Sequence, residues 1–275
     1  SNTVLLQTTM GAVAQTDQAI LNEAHAQGLI CPDKRYDKDT TSAAGAYVAT
    51  PKKGMHKWVG SIDLNSLYPS IIRSCNMSTE TIIGQVRQVY TKELIANAKT
   101  VAEAWEGRFA CPEYELVMQK NIEEILHLDF EDGTSFEATG AEIYEIVFNS
   151  GQPWIISANG TIFTYEKKGV IPGLLERWYA ERKVLQTKAR DARAEGGDKF
   201  AYWDKRQLVK KINLNSLYGA LLNPGSRFFD SRLGQSTTLT GRCIAKHMAG
   251  ELNKIIAGEY NHQGDAIVYG DTDST

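Results

Sequence analysis

The chain has 275 residues and a mass of 30.5 kDa, with 42% apolar and 23% charged residues, which fits one large or two ordinary globular domains and excludes a disordered, collagen-like or coiled-coil chain. No apolar run approaches the roughly 18–20 residues of a membrane-spanning helix, so no membrane partner is expected. The net charge of −3 carries no global basic signature, but phosphate is bound by local patches, and here charge is segregated: residues 113–149 hold ten Asp/Glu against the single Lys120, whereas residues 166–211 hold thirteen Lys/Arg against seven Asp/Glu.

Residues 1–55 are polar and weakly periodic, with one helix predicted near Asp17–Gln27. Ser1-Asn2-Thr3 is no signal peptide, and a processed or excised segment is expected. Lys57–Asp63 (K-W-V-G-S-I-D) reads as a buried strand ending in an acid. Leu64–Cys75 then reads as a turn running into a short helix, since Pro69 is tolerated in a first helical turn. Residues 85–150 are mixed and acidic. Trp154 to Tyr165 spells two apolar runs around Ala158-Asn159-Gly160, a hairpin signal. Pro172 opens a helical segment that Gly196-Gly197 ends, and Asp198 can cap a second helix that stops at Asn223-Pro224-Gly225. Two long helices joined so tightly should lie antiparallel. A further helix is predicted over Leu239–Ile256, then a strand over Asp265–Tyr269 and a turn at Gly270–Asp273. Cys31, Cys75, Cys111 and Cys243 form no C-x-x-C pair, which fits a reduced, intracellular setting.

Three carboxylates stand out. Asp63 ends an apolar strand, and Asp271 and Asp273 flank Thr272 in a turn after another. Taken alone, each also fits a cap or turn role. Brought together from adjacent strands, such acids repel unless a cation lies between them, and Mg²⁺ suits one or two carboxylates plus phosphate oxygens. The second long helix supplies a separate signal. At 100° per residue, Gln207, Lys211, Asn215 and Tyr218 fall within an arc of about 80°. On the first helix Arg182, Gln186, Arg190 and Arg193 share a comparable arc, beside Lys183. Facing stripes of this kind can grip a polyphosphate, although they also suit a solvated basic hairpin.

The segments D-L-N-S-L-Y-P-S-I-I (63–72), K-K-I-N-L-N-S-L-Y-G (210–219) and Y-G-D-T-D-S (269–274) resemble, in order, the three polymerase motifs of family B DNA polymerases, most closely those of T-even-like phages. The resemblance covers roughly 56–84 and 150–275. It implies an α+β fold: a partial palm of antiparallel sheet with helices, plus a fingers domain of two long antiparallel helices, without exonuclease domain or thumb. The implied division is 1–55 preceding the palm, 56–84 palm with the first motif, 85–168 an unplaced palm-associated insertion, 169–224 the fingers hairpin, and 225–275 palm ending in the D-T-D turn.

The resemblance also implies roles. Asp63 and Asp273 are the expected ligands of two Mg²⁺ ions, with the Leu64 carbonyl completing a shell and Asp271 supporting the catalytic site. The Ser66 and Leu67 amides are expected to cradle a triphosphate, and the Tyr68 ring to lie under the incoming sugar and exclude a ribose 2′-OH. Arg182 and Lys211 are expected to grip the β- and γ-phosphates, supported by Asn215. Tyr218 and Gly219 are expected beside the nascent base pair. The usual R-K-x-x-K of the first fingers helix reads Arg182-Lys183-Val184-Leu185-Gln186 here, so either Arg190 replaces the missing cation or triphosphate affinity is lower. Asp129–Glu131, the sole D-x-E, is read as coincidental.

Expected partners are primer-template DNA, dNTPs, a C-terminal chain carrying the rest of palm and thumb, and a sliding clamp reached through that chain. The expected location is cytoplasmic, in the host cell if the chain is viral. The D-T-D hairpin is expected to have an unpaired edge that leaves Asp273 mobile, and the chain, whether a split half, an extein piece or a partial sequence, to be inactive without its complement. The competing reading is a non-catalytic nucleic-acid-binding or assembly fragment of a polymerase.

Overall fold

A computed structural model describes residues 11–34, 45–88, 125–196 and 199–275. In chain order the described elements are α1 (Ala12–Ala26), α2 (Leu67–Ser74), β1 (Ile82–Gln88), β2 (Ile125–Phe130), β3 (Ser135–Thr139), α3 (Gly140–Tyr144), β4 (Trp154–Ile156), β5 (Thr161–Thr164), α4 (Val170–Ala194), α5 (Lys199–Leu221) and α6 (Ser231–Ala257). Two compact units emerge. One comprises Ser1–Thr41, Ile72–Thr81 and Lys167–Gly234, the other Ser42–Ile71, Ile82–Glu166 and Gln235–Thr275.

The first unit is helical. Arg182 meets Gln207, Glu181 meets Lys210, Lys188 lies over the Trp203 ring and Arg193 over Phe200. Numbers rise along α4 as they fall along α5, so the two helices are antiparallel, as their sequence predicts. Gly196, at φ +69°, ends α4 in the left-handed conformation that a side chain disfavours. The expected cap at Asp198 lies outside the described residues. Helix α1 packs on both long helices, tied by an ion pair between Glu23 and Arg177. Its Asp17 carboxylate accepts bonds from the Ser226 hydroxyl and the Arg227 amide. The start of α4 is capped from residues 76–80. The Gly169 amide donates to Asn76 Oδ1 at 2.9 Å, the Val170 amide to Glu80 Oε1 at 2.6 Å, and the Ile171 amide lies 3.4 Å from Ser78 Oγ. Those amides have no intrahelical acceptor, and an acid there also complements the helix dipole.

The second unit is built on an antiparallel sheet of order β3-β2-β1-β5-β4. Strand β2 illustrates why it forms. Leu126 and Leu128 point into the core, while His127 and Asp129 point away and pair across to Glu137 and Ser135. This is the period-2 alternation of a strand buried on one face. The Ser135 hydroxyl donates to Asp129 at 2.6 Å, and His127 lies 3.4 Å from Glu137. Val86, Leu126, Leu128, Ala138, Ile143, Val147, Ile156 and Ile162 form the core beneath, each large aliphatic contributing about 1.5–3 kcal/mol on burial. The acidic stretch around 125–149 thus adds two strands and a helix to the sheet. The expected α+β class, antiparallel sheet and helical hairpin are all present.

Two expectations fail. Lys57–Asp63 is exposed, with Trp58 fully so, and only Asp63 makes a bridge. A strand needs a neighbour along its length, and among the described residues backbone pairing reaches only Ile62–Leu64. Nor does Asp265–Tyr269 form the predicted strand, although one edge of it is covered. The Lys52 amide donates to Val268 O at 2.9 Å and the Ala49 amide to Gly270 O at 2.8 Å, so residues 47–52 cover it. Residues 265–269 bond in this irregular way without forming a regular strand.

Candidate active site

The carboxylate site is assembled by backbone. Asp271 bridges Val48 on one side and Ser274 on the other, and Ser274 in turn bridges Asp63. The Leu64 amide donates to Asp273 O at 2.7 Å, the Ile62 amide to Thr275 O at 2.8 Å, and the Thr275 amide back to Ile62 O at 3.0 Å. Asp63 and Asp273, 210 positions apart (63 and 273), therefore stand on paired neighbouring segments. Thr272 turns the corner at φ +56°, a costly conformation for a β-branched residue. Its amide is anchored to Tyr47 O at 2.9 Å.

The two acids of the turn differ. Asp271 is committed locally, accepting from the Thr272 hydroxyl at 2.8 Å and the Tyr269 hydroxyl at 3.3 Å. Asp273 is half-buried, and its carboxyl is pushed above the usual range, first by burial and then by the charge of Asp63, with Asp271 adding to it. A pKa raised by folding destabilises the native state once pH rises above it, and the cost vanishes below the ordinary Asp range. A divalent cation shared by the pair removes that cost. Among the described residues no group of three or more His, Cys, Asp and Glu side chains surrounds a common point. Two carboxylates with a neighbouring carbonyl fit a cation that retains water and phosphate oxygens, as Mg²⁺ does.

Directly after Leu64 the chain enters α2. Ser66 takes φ +55°, and its carbonyl receives the Ser70 amide at 2.9 Å. The Ser66 and Leu67 amides thus stand at a helix start, where N–H groups lack intrahelical acceptors. Tyr68 follows, half-buried, with its ring against Gly241 of α6.

In the first unit, Arg182 Nε reaches Gln207 Oε1 at 3.4 Å, and Gln207 donates to Asp204 at 3.0 Å. Lys211 and Asn215, exposed on α5, line an open depression of about 360 Å³ with Leu208, Ile212 and Ser216. Gly219 is exposed and has nothing within 4 Å of where a Cβ would stand, while Tyr218 beside it is half-buried. The basic stripe of α4 is largely engaged. Lys183 lies over Tyr179 and Arg190 is 3.9 Å from Asp191. Arg182, Lys211, Asn215, Tyr218 and Gly219 belong to the helical unit, and Asp63, Leu64, Ser66, Leu67, Tyr68, Asp271 and Asp273 to the sheet-bearing unit. Sequence reasoning missed the pairing of Tyr47–Ala49 with the turn and the packing of Gly241 on Tyr68. Both are long-range, and no local pattern announces them.

Similarity to known proteins agrees with the motifs. A sequence model of the family described as DNA polymerase family B matches residues 3–275. The chain is 29% identical over 262 residues to the DNA polymerase of Red sea bream iridovirus, covering 89% of this chain and 25% of that protein. It is 28% identical over 280 residues to the DNA-directed DNA polymerase of Enterobacteria phage T4, covering 96% and 30% respectively. The chain thus spans between a quarter and a third of the length of these relatives. The fold is similar to the family B DNA polymerase of the hyperthermophilic archaeon Pyrobaculum calidifontis, with a TM-score of 0.56, 19% identity and coverage of 96% of this chain and 26% of that one. No described helix is long and apolar enough to cross a membrane. With a family match running nearly end to end and the three motifs in order on this fold, the chain belongs to DNA polymerase family B.

Proposed function

We propose that this chain supplies the fingers and part of the palm of a DNA-directed DNA polymerase, joining a deoxynucleoside monophosphate from a dNTP to a primer 3′-OH with release of pyrophosphate. The observation that carries the reading is the backbone ladder that sets Asp63 and Asp273 on paired segments. Asp63, Asp273 and the Leu64 carbonyl would hold two Mg²⁺ ions, which when bound stabilise the attacking and leaving oxygens of an in-line displacement. The chain's own residues do the rest. Asp271 holds the turn through its bonds to Thr272 and Tyr269. The Ser66 and Leu67 amides receive phosphate oxygens at the start of α2. Arg182 and Lys211 neutralise the triphosphate from the helical hairpin, and Asn215, one turn beyond Lys211, steadies it. The Tyr68 ring underlies the sugar and excludes a 2′-OH, and Tyr218 with the bare backbone of Gly219 lies along the nascent base pair. Gln186 supplies no charge, and the exposed Arg190, one turn on, either replaces the missing cation or leaves a weaker triphosphate grip.

Primer-template DNA and dNTPs are the partners this reading requires. A separate C-terminal chain with the rest of palm and thumb, a sliding clamp bound through it, and a location in the host cytoplasm belong to the same proposal. The chain spans only 25–30% of the length of these relatives, which supports a need for the remaining palm and thumb. The test is a primer-extension gel with residues 1–275, a chain continuing from Ser274 through palm and thumb, and both together. Extension is expected only from the mixture, and Asp63→Ala should abolish it. A mixture that binds DNA without extending the primer would favour the non-catalytic assembly reading. Extension by this chain alone would overturn the need for a complement. In the mixture Tyr68→Ala should admit ribonucleotides with a modest loss of deoxynucleotide rate, and unchanged selection would remove Tyr68 from the sugar site.

A further inference from the structure

A Cβ placed on Gly241 would stand 2.8 Å from Cε1 and 3.4 Å from Cδ1 of Tyr68, and 3.5 Å from Cδ1 of Ile71. The ring therefore occupies the space that any other residue at 241 would fill. Helix α6 cannot back away to make room, because the turn of the β4–β5 hairpin pins it one residue earlier. The Ala158 amide donates to Thr240 Oγ1 at 3.1 Å, the Ser236 hydroxyl donates to Asn159 Oδ1 at 2.8 Å, and Ser157 Oγ lies 3.0 Å from Ser236 Oγ. Ser157, Asn159 and Ser236 are all buried, so breaking this set would leave polar groups without water or partner. On the next residue of the helix the Arg242 guanidinium donates to Gly45 O at 3.2 Å. Of the two contacting surfaces, one is a clamped helix and the other a side chain turning on two torsions, so the side chain must yield.

We infer that Gly241 is a positioning residue for nucleotide selection: by bearing no side chain it sets how deep the Tyr68 ring lies, and hence the depth of the pocket for the sugar of the incoming nucleotide. The inference rests on the reading of Tyr68 as the sugar-contacting ring and adds the residue that determines where that ring stops. Alanine at 241 would drive the ring from 2.8 Å to an ordinary contact of 3.4 Å or more, a displacement of roughly 0.6 Å away from α6.

The test is a double-mutant cycle in the primer-extending assembly, with kcat/KM for a dNTP and for the matching rNTP measured for the wild type, Gly241→Ala, Tyr68→Ala and the double variant. Gly241→Ala is expected to lower kcat/KM for the dNTP on the order of tenfold, since sub-ångström misplacement is costly at a reacting centre, and to change the rNTP-to-dNTP ratio. In the Tyr68→Ala background the same substitution should change neither quantity, because the Ile71 contact at 3.5 Å is an ordinary one and the effect on the site is transmitted through the ring. Equal losses in both backgrounds would overturn the inference, as would a Gly241→Ala variant with wild-type selection while Tyr68→Ala alters it. Selection unchanged by Tyr68→Ala would instead overturn the sugar-site reading, and the inference with it. Thermal melts of the 275-residue chain guard against misfolding. If Gly241→Ala melts early, it should lower the transition little further when added to Tyr68→Ala, and an equal drop in both backgrounds would overturn the contact itself.

Discussion

Asp63 and Asp273 stand on backbone that is hydrogen-bonded on both sides, from Tyr47–Ala49 through the turn to Ile62–Leu64. Lys211 and Asn215 stand on the exposed face of a long helix and border an open depression. In the first region main-chain bonds locate short side chains, so only two torsions separate the charged oxygens from held backbone. In the second, helical periodicity sets only the direction in which a long, flexible side chain leaves the helix. Short acids on a cross-linked turn suit a task that tolerates little displacement. A lysine on a helix suits a ligand that arrives and departs. The contrast extends to the way charge is managed. Burial and Asp63 push the Asp273 carboxyl up, a tension inside the site, whereas several hairpin cations are quietened by rings or carboxylates, as Lys188 is by Trp203 and Lys210 by Glu181.

The contrast can be broken from either side. The largest expected effect is Asp63→Ala, which should bring primer extension by the complemented enzyme below detection while the chain still binds DNA, as read by gel shift beside the extension assay. Ala49→Pro comes next. It removes the amide that donates to Gly270 O at 2.8 Å and touches no charged group, yet misplacing the turn should cost about 100-fold in rate, with a lower melting temperature. If Ala49→Pro is silent, the backbone ladder is not what positions Asp273.

On the hairpin side, Lys211→Ala should raise KM for dNTPs by about 10- to 100-fold, matching the ~1.5–3 kcal/mol of a charge-assisted hydrogen bond, with a smaller change in kcat in steady-state kinetics. The smallest expected effect is a gain. Gln186→Lys should lower KM for dNTPs about two- to fivefold, the worth of ~0.5–1 kcal/mol for a partly exposed charge, and a salt titration should erase most of the gain. An unchanged KM would mean that Gln186 does not face the triphosphate.

Much of the helical unit was legible in the amino-acid order. Gly196 ends a long periodic stretch, Asn223-Pro224-Gly225 follows the end of the next, and the stripe from Gln207 to Tyr218 follows from 3.6 residues per turn. These are local regularities, carried within a few turns of chain. The candidate carboxylates were also legible as residues, because D-L-N-S-L-Y-P and Y-G-D-T-D-S are specific strings. Their juxtaposition was expected only through the family resemblance, as ligands of the same ions, because no local pattern shows it. Lys57–Asp63 reads as a buried strand, yet Trp58 is fully exposed, since burial depends on which segment lies alongside and not on the apolar run itself. In the same way the segment before the D-T-D turn was expected to lack a partner, and on one edge the partner is Tyr47–Lys52, more than 200 positions earlier. The acidic stretch before Trp154 carried no motif, and only its cross-strand register revealed it as an extension of the sheet.

By itself, then, the sequence determined the two long hairpin helices and most of α6, which begins at Ser231 and not at Leu239, the hairpin at Asn159-Gly160, the identity of the acidic and basic groups, and the family to which they belong, because each rests on neighbours within a few residues or on a string of fixed residues. Only the tertiary structure decided which backbone bonds set Asp63 beside Asp273, that Asp271 is occupied by Thr272 and Tyr269, and that Gly241 underlies Tyr68. The reason is that strand pairing and side-chain packing join residues whose separation along the chain carries no trace of their contact, and such contacts form only when the intervening chain has folded to bring them together.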